Sequence, residues 1–224
     1  MNRSVFALGA VIALSGLVAL PEPAAAQLGQ LRGMIPRART SGAASVDPAA
    51  FLAETIETTK FMMVAAAVLA QAADTDGDRD ALRAEIASIQ GITDIGELNS
   101  RRASFTANTE AAALNYRDAA ATQAAYDSAS AEQQQLLLSA AFNFALGMAR
   151  NVQLAQQAPQ LLQSMQSNPM LLMKVGSIRT AGGLLAQQAQ AARSMGGPLR
   201  TLMSRGGVEL PADAQAAEPR PVEL

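Results

Sequence analysis

Apolar residues recur at helical spacing along most of this chain, and no stretch alternates over strand length. Asp47-Pro48 opens the first strong helix, with an aspartate suited to capping, proline at the first helical position and Glu54 and Glu57 soon after. Leu52, Ile56 and Met63 share one stripe. Phe61 to Ala70 is apolar all round, which predicts a central, fully buried helix reaching about Ala73. Beyond the polar turn Asp74–Asp80, a shorter helix is predicted to about Gln90, ended by Gly91. Thr93 or Asp94 caps the next, which extends to about Tyr126. Ser130-Ala-Glu-Gln133 matches a capping box and opens a helix to about Ala158, where Pro159 is expected to stop or kink it. Asn168-Pro169 starts another helix to about Met195. Gly196-Gly197-Pro198 is expected to break that one before a short last helix to Ser204. The expectation is an all-α fold: a single-domain helical bundle of about five to seven helices over residues 47–205, with a flexible N-terminal arm and C-terminal tail.

The flanking segments read differently. Residues 1–26 have the form of a secretory signal peptide: Arg3, an apolar stretch from Val5 to Leu20, helix-breaking Pro21 and Pro23, and the small-residue motif Ala24-Ala25-Ala26. They predict export, most simply to a bacterial periplasm, and a mature chain beginning near Gln27. Residues 27–46 combine Gly29, Gly33, Pro36 and Gly42 with Arg32, Arg37 and Arg39, and are expected to form a flexible basic arm. Residues 206–224, with Pro211, Pro219 and Pro221, are expected to be a disordered tail.

Composition narrows the chemistry. Of 224 residues 50% are hydrophobic, so a buried core is within reach, but the chain has no Cys, no His and no Trp. That removes Ser-His-Asp and cysteine nucleophiles, His/Cys zinc sites, His- or Cys-ligated haem, and disulfides. Glu54 and Glu57 are better read as first-turn acids than as a catalytic pair, since sugar clefts usually offer aromatic platforms. The reading is a non-enzymatic protein without cofactors that acts by binding.

Charge points to where. Residues 47–132 hold 14 acids and 6 bases, whereas residues 133–208 hold six bases and no acid. Either the two halves solvate each other within the bundle, or the basic half faces an anionic partner such as phospholipid headgroups, through Arg179, Arg193, Arg200 and Arg205. Nucleic acid is disfavoured in an exported, acidic chain without stacking aromatics.

In the same half, Leu136 to Met148 is apolar except for Ser139, Asn143 and Gly147, which with Asn151 form a narrow small or polar stripe. The stripe suits either close helix packing or a helix lining an apolar cavity. The cavity reading names Leu137, Phe142, Phe144, Met148, Met173 and Leu185 as contacts for a lipid or other apolar small molecule. The alternative is a structural or assembly factor that binds a membrane surface or another envelope protein.

One motif resembles an EF-hand loop in part. From Asp74, acids stand at loop positions one, three, five and seven (Asp74, Asp76, Asp78, Asp80), and Glu85 stands at twelve. The sixth position, where the sharp turn needs glycine, is Arg79. A polar interhelical turn is therefore preferred to a calcium site at Asp74, Asp76, Asp78 and Glu85.

Overall fold

The computed structural model describes residues 46–71, 79–166, 173–222 and 224. Among them seven α-helices follow in order: α1 (Pro48–Gln71), α2 (Arg79–Gln90), α3 (Ile95–Ser100), α4 (Arg102–Asn115), α5 (Ala119–Ser128), α6 (Ala131–Gln166) and α7 (Val175–Arg205). Among the described residues there are no strands, and the chain is an all-α bundle. No helix among them is long and apolar enough to cross a membrane.

The helix starts follow local chemistry. Asp47 Oδ1 accepts from Ala49 N at 3.0 Å. Asp94 Oδ1 accepts from Gly96 N and Glu97 N at 2.7 and 3.3 Å. Ser130 and Gln133 close the reciprocal capping box, Ser130 N donating to Gln133 Oε1 and Gln133 N to Ser130 Oγ. Asp118 caps α5 through Ala121 N, so the segment expected to run as one helix to about Tyr126 is three helices. Their breaks fall at Arg101 and at Tyr116–Asp118.

Helix α1 is the centre. Met62 through Leu69 are eight consecutive buried residues, and α2, α3, α4, α6 and α7 all pack against it. Burial on every side is possible only for a helix apolar all round. Next to Met62, α6 carries Gly147; a Cβ there would lie 2.6 Å from Met62 Sδ and 2.9 Å from Phe61 Cε2. The glycine lets the two backbones approach.

Neither α6 nor α7 stops where its proline falls. Helix α6 runs through Pro159, and α7 runs through Gly196-Gly197-Pro198. A mid-helix proline costs about 3 kcal/mol. Both helices nevertheless keep burying side chains beyond it: Leu161 and Met165 on α6, Leu199, Leu202 and Met203 on α7. That burial outweighs the local preference, as in most protein helices. The true stop of α7 is a glycine cap. Gly207 takes a left-handed φ of 64°, Gly207 N donates to Ser204 O and Val208 N to Met203 O, the Schellman pairing.

Residues 206–224 depart from the disordered tail expected of them. The described part lies against the bundle, with Val208, Leu210, Ala214, Ala217 and Val222 packed on its core. Asp213 Oδ1 accepts from Gln215 N and Ala216 N and so turns the segment. Its prolines restrict the undocked chain and lower the entropy lost on docking, an effect that composition alone cannot distinguish from disorder.

Candidate functional site

Two surfaces carry the functional candidates, one on α7 and one on α6. Along α7, Arg179, Arg193 and Arg200 are exposed. In a regular helix they fall within an arc of about 60° and span roughly 30 Å. Between them the same arc holds Gly182, Ala186 and Gly197, with Gln190 just outside its edge. A Cβ at Gly182 or Gly197 would meet nothing within 4 Å. The helix contains no acid. Arg205 is held in a bidentate pair by Asp127 of α5, Nη2 lying 2.8 Å from Oδ2 and 2.9 Å from Oδ1. It joins the basic half to the acidic half, as the internal reading of the charge segregation expects for this arginine.

The apolar candidates do not converge. Leu137, Phe142, Phe144 and Leu185 are buried, Met148 is half-buried, and Met173 is 92% exposed. Phe144 stacks on Phe105 of α4, ring centroids 6.4 Å apart, while Phe142 lies under the guanidinium of Arg220. The two rings sit about 200° apart around α6. A cleft beside Met63, Glu85, Phe105 and Asn108 has a volume of about 10 Å³, room for about one water.

The small and polar stripe of α6 is split among three neighbours, because a four-residue step drifts about 40° around a helix at each repeat. Gly147 meets α1. Asn151 Nδ2 donates to Gln188 Oε1 of α7 at 2.7 Å, and Gln188 Nε2 donates to Thr59 Oγ1 of α1 at 2.7 Å. Asn143 faces the C-terminal segment. Its Nδ2 donates to Arg220 O at 2.8 Å and its Oδ1 accepts from Arg220 N at 2.7 Å. About two turns further on, Arg150 donates to three main-chain carbonyls of the same segment, those of Ala214, Gln215 and Ala217. Composition had hidden this second surface; Asn143 and Arg150, polar groups on an otherwise greasy helix, were its one signal.

Of the calcium candidates, Asp74, Asp76 and Asp78 lie outside the described residues. Glu85 has protein partners: Oε1 accepts from Asn108 Nδ2 at 3.0 Å and Oε2 from Gln71 Nε2 at 3.4 Å. It thereby ties α2 to α4 and α1. Among the described residues no three acids cluster to hold a metal ion. Tyr116 is fully buried, its hydroxyl has no hydrogen-bond partner, and burial pushes its phenol well above the usual range.

Comparison with protein-family models, with curated proteins and with solved structures found no match.

Proposed function

We propose that the chain is an exported, non-enzymatic helical bundle that binds anionic lipid headgroups through the exposed face of α7. The observation that carries this reading is the alignment of Arg179, Arg193 and Arg200 on one acid-free helix face, with Gly182, Ala186 and Gly197 between them. Small neighbours let a flat anionic surface approach each guanidinium, and guanidinium groups pair with phosphate through two parallel N–H donors. Lipid contact at a surface is preferred to lipid in a cavity, because Leu137, Phe144 and Leu185 spend their apolar area on packing with the core. A chain without His or Cys lacks the commonest acid–base side chain and the thiolate nucleophile, and the shifted phenol of Tyr116 is buried away from any substrate.

Flotation with vesicles tests the reading. The protein is expected to float with phosphatidylglycerol vesicles at low salt, to release as salt rises, and to ignore phosphatidylcholine. Arg179→Glu with Arg193→Glu is expected to weaken binding about 30-fold or more, since each cation near a charged surface contributes about 1 kcal/mol. Equal binding to both lipids, or none to either, overturns the proposal. A second reading, an assembly factor that docks on another envelope protein, draws on a separate feature: the α6 side chains that hold an extended segment by its main chain.

A further inference from the structure

The C-terminal segment is held in an unusual way. Asn143, only 2% exposed, spends its amide on the N–H and C=O of a single residue, Arg220. Arg150 spends its guanidinium on carbonyls of Ala214, Gln215 and Ala217. These are main-chain groups that any extended peptide offers. Pro219 and Pro221 have no N–H of their own, so within Pro219-Arg220-Pro221 the only main-chain N–H is the one Asn143 receives. Each proline also biases the residue before it towards extended backbone, which prepares Glu218 and Arg220 for docking. A single side chain in the triplet adds selectivity: the Arg220 guanidinium lies 4.4 Å from the centroid of Phe142, a cation on an aromatic face. Pro219, Arg220 and Pro221 are exposed on their outer side. The grip thus combines an amide that reads one backbone unit, a donor fork for carbonyls and an aromatic ring, the ingredients of extended-peptide recognition.

We propose that this face of α6 is a binding site for an extended Pro-Xaa-Pro segment of a partner protein, with Xaa basic, and that residues 208–222 are its built-in occupant, displaced when the partner binds. The proposal is independent of the lipid-facing surface on α7. The occupant's advantage is tethering: a segment joined directly to α7 presents itself at an effective concentration on the order of millimolar. The left-handed Gly207 and neighbouring Gly206 form the joint at which the segment leaves α7.

The test uses the full chain and a fluorescent synthetic peptide of residues 212–222. Arg220→Pro in the chain removes both the N–H that Asn143 receives and the guanidinium on Phe142, so hydrogen exchange across 208–222 is expected to quicken. Anisotropy titration is then expected to show the peptide binding this variant at least about tenfold more tightly than the parent, whose tethered segment competes. Adding Asn143→Ala is expected to reverse that gain. Arg150→Ala, on a half-buried side chain, serves the same purpose if the Asn143 variant misfolds. A peptide with alanine at positions 219 and 221 is expected to bind more weakly. Absence of saturable binding to Arg220→Pro at millimolar peptide overturns the proposal. So does binding indifferent to Asn143 and Arg150, and so does unchanged exchange in Arg220→Pro.

Discussion

Asn151 and Gln188 join side-chain amides at 2.7 Å between α6 and α7, and Gln188 passes its own N–H on to Thr59 of α1. Both amides are buried, so three helices share one buried polar chain. A buried polar group left without its partner costs about 1–3 kcal/mol. Asn151→Ala is therefore expected to lower stability to urea by that amount or more. Asn151→Ala combined with Gln188→Leu is expected to recover part of it, since the pair is then removed together. A double variant less stable than the sum of its singles contradicts this account.

Gly147 faces Met62 and Phe61 with no space for a side chain. Gly147→Ala is expected to destabilise by about 1–3 kcal/mol through overpacking, although alanine is the better helix former by about 1 kcal/mol. Met62→Ala in the same chain is expected to relieve the clash at the expense of its own lost packing. A more stable Gly147→Ala single variant would refute the close approach of α1 and α6.

Tyr116 carries a buried hydroxyl without a partner, and its phenol titrates well above its unfolded value of about 10. The neutral phenol is the form the fold accommodates. Above about pH 10 the unfolded chain loses this proton while the folded chain keeps it, so stability falls as pH climbs from there towards the raised folded value. Tyr116→Phe is expected to equal or exceed the parent in stability at pH 7 and to lose less of it between about pH 9 and pH 11. The comparison is made by denaturant titration at each pH, and parallel curves for the two proteins contradict it.

Export makes a claim of its own. If residues 1–26 are a leader, protein recovered from the periplasmic fraction of a bacterial host is expected to begin at or within a few residues of Gln27. Intact-mass measurement decides it; a chain retaining Met1 in the cytoplasm overturns the exported reading.

Much of the bundle was legible in the residues because its signals are local. Asp47, Asp94 and Ser130 with Gln133 bond to groups two or three positions away, so their geometry needs no distant partner. The central place of α1 was legible too, since Phe61 to Ala70 is apolar all round yet too short to span a membrane. Neither Pro159 nor Pro198 ends its helix, because their cost is local, whereas the burial of Leu161, Met165, Leu199 and Leu202 that offsets it comes from other helices. Charges divided in the same way. That six bases follow 14 acids is written in the chain, but that Arg205 meets an acid while Arg179 and Arg193 stand exposed depended on α5 lying beside the end of α7. The C-terminal segment lay furthest from sequence reasoning. Its prolines and scattered apolar residues are equally those of a disordered chain, and what holds it is packing on the core together with the side chains of Asn143, Arg150 and Arg83, 64 to 141 positions away. Periodicity and capping determine where helices form; only tertiary packing decided that the surface between them would be covered by the protein's own extended chain.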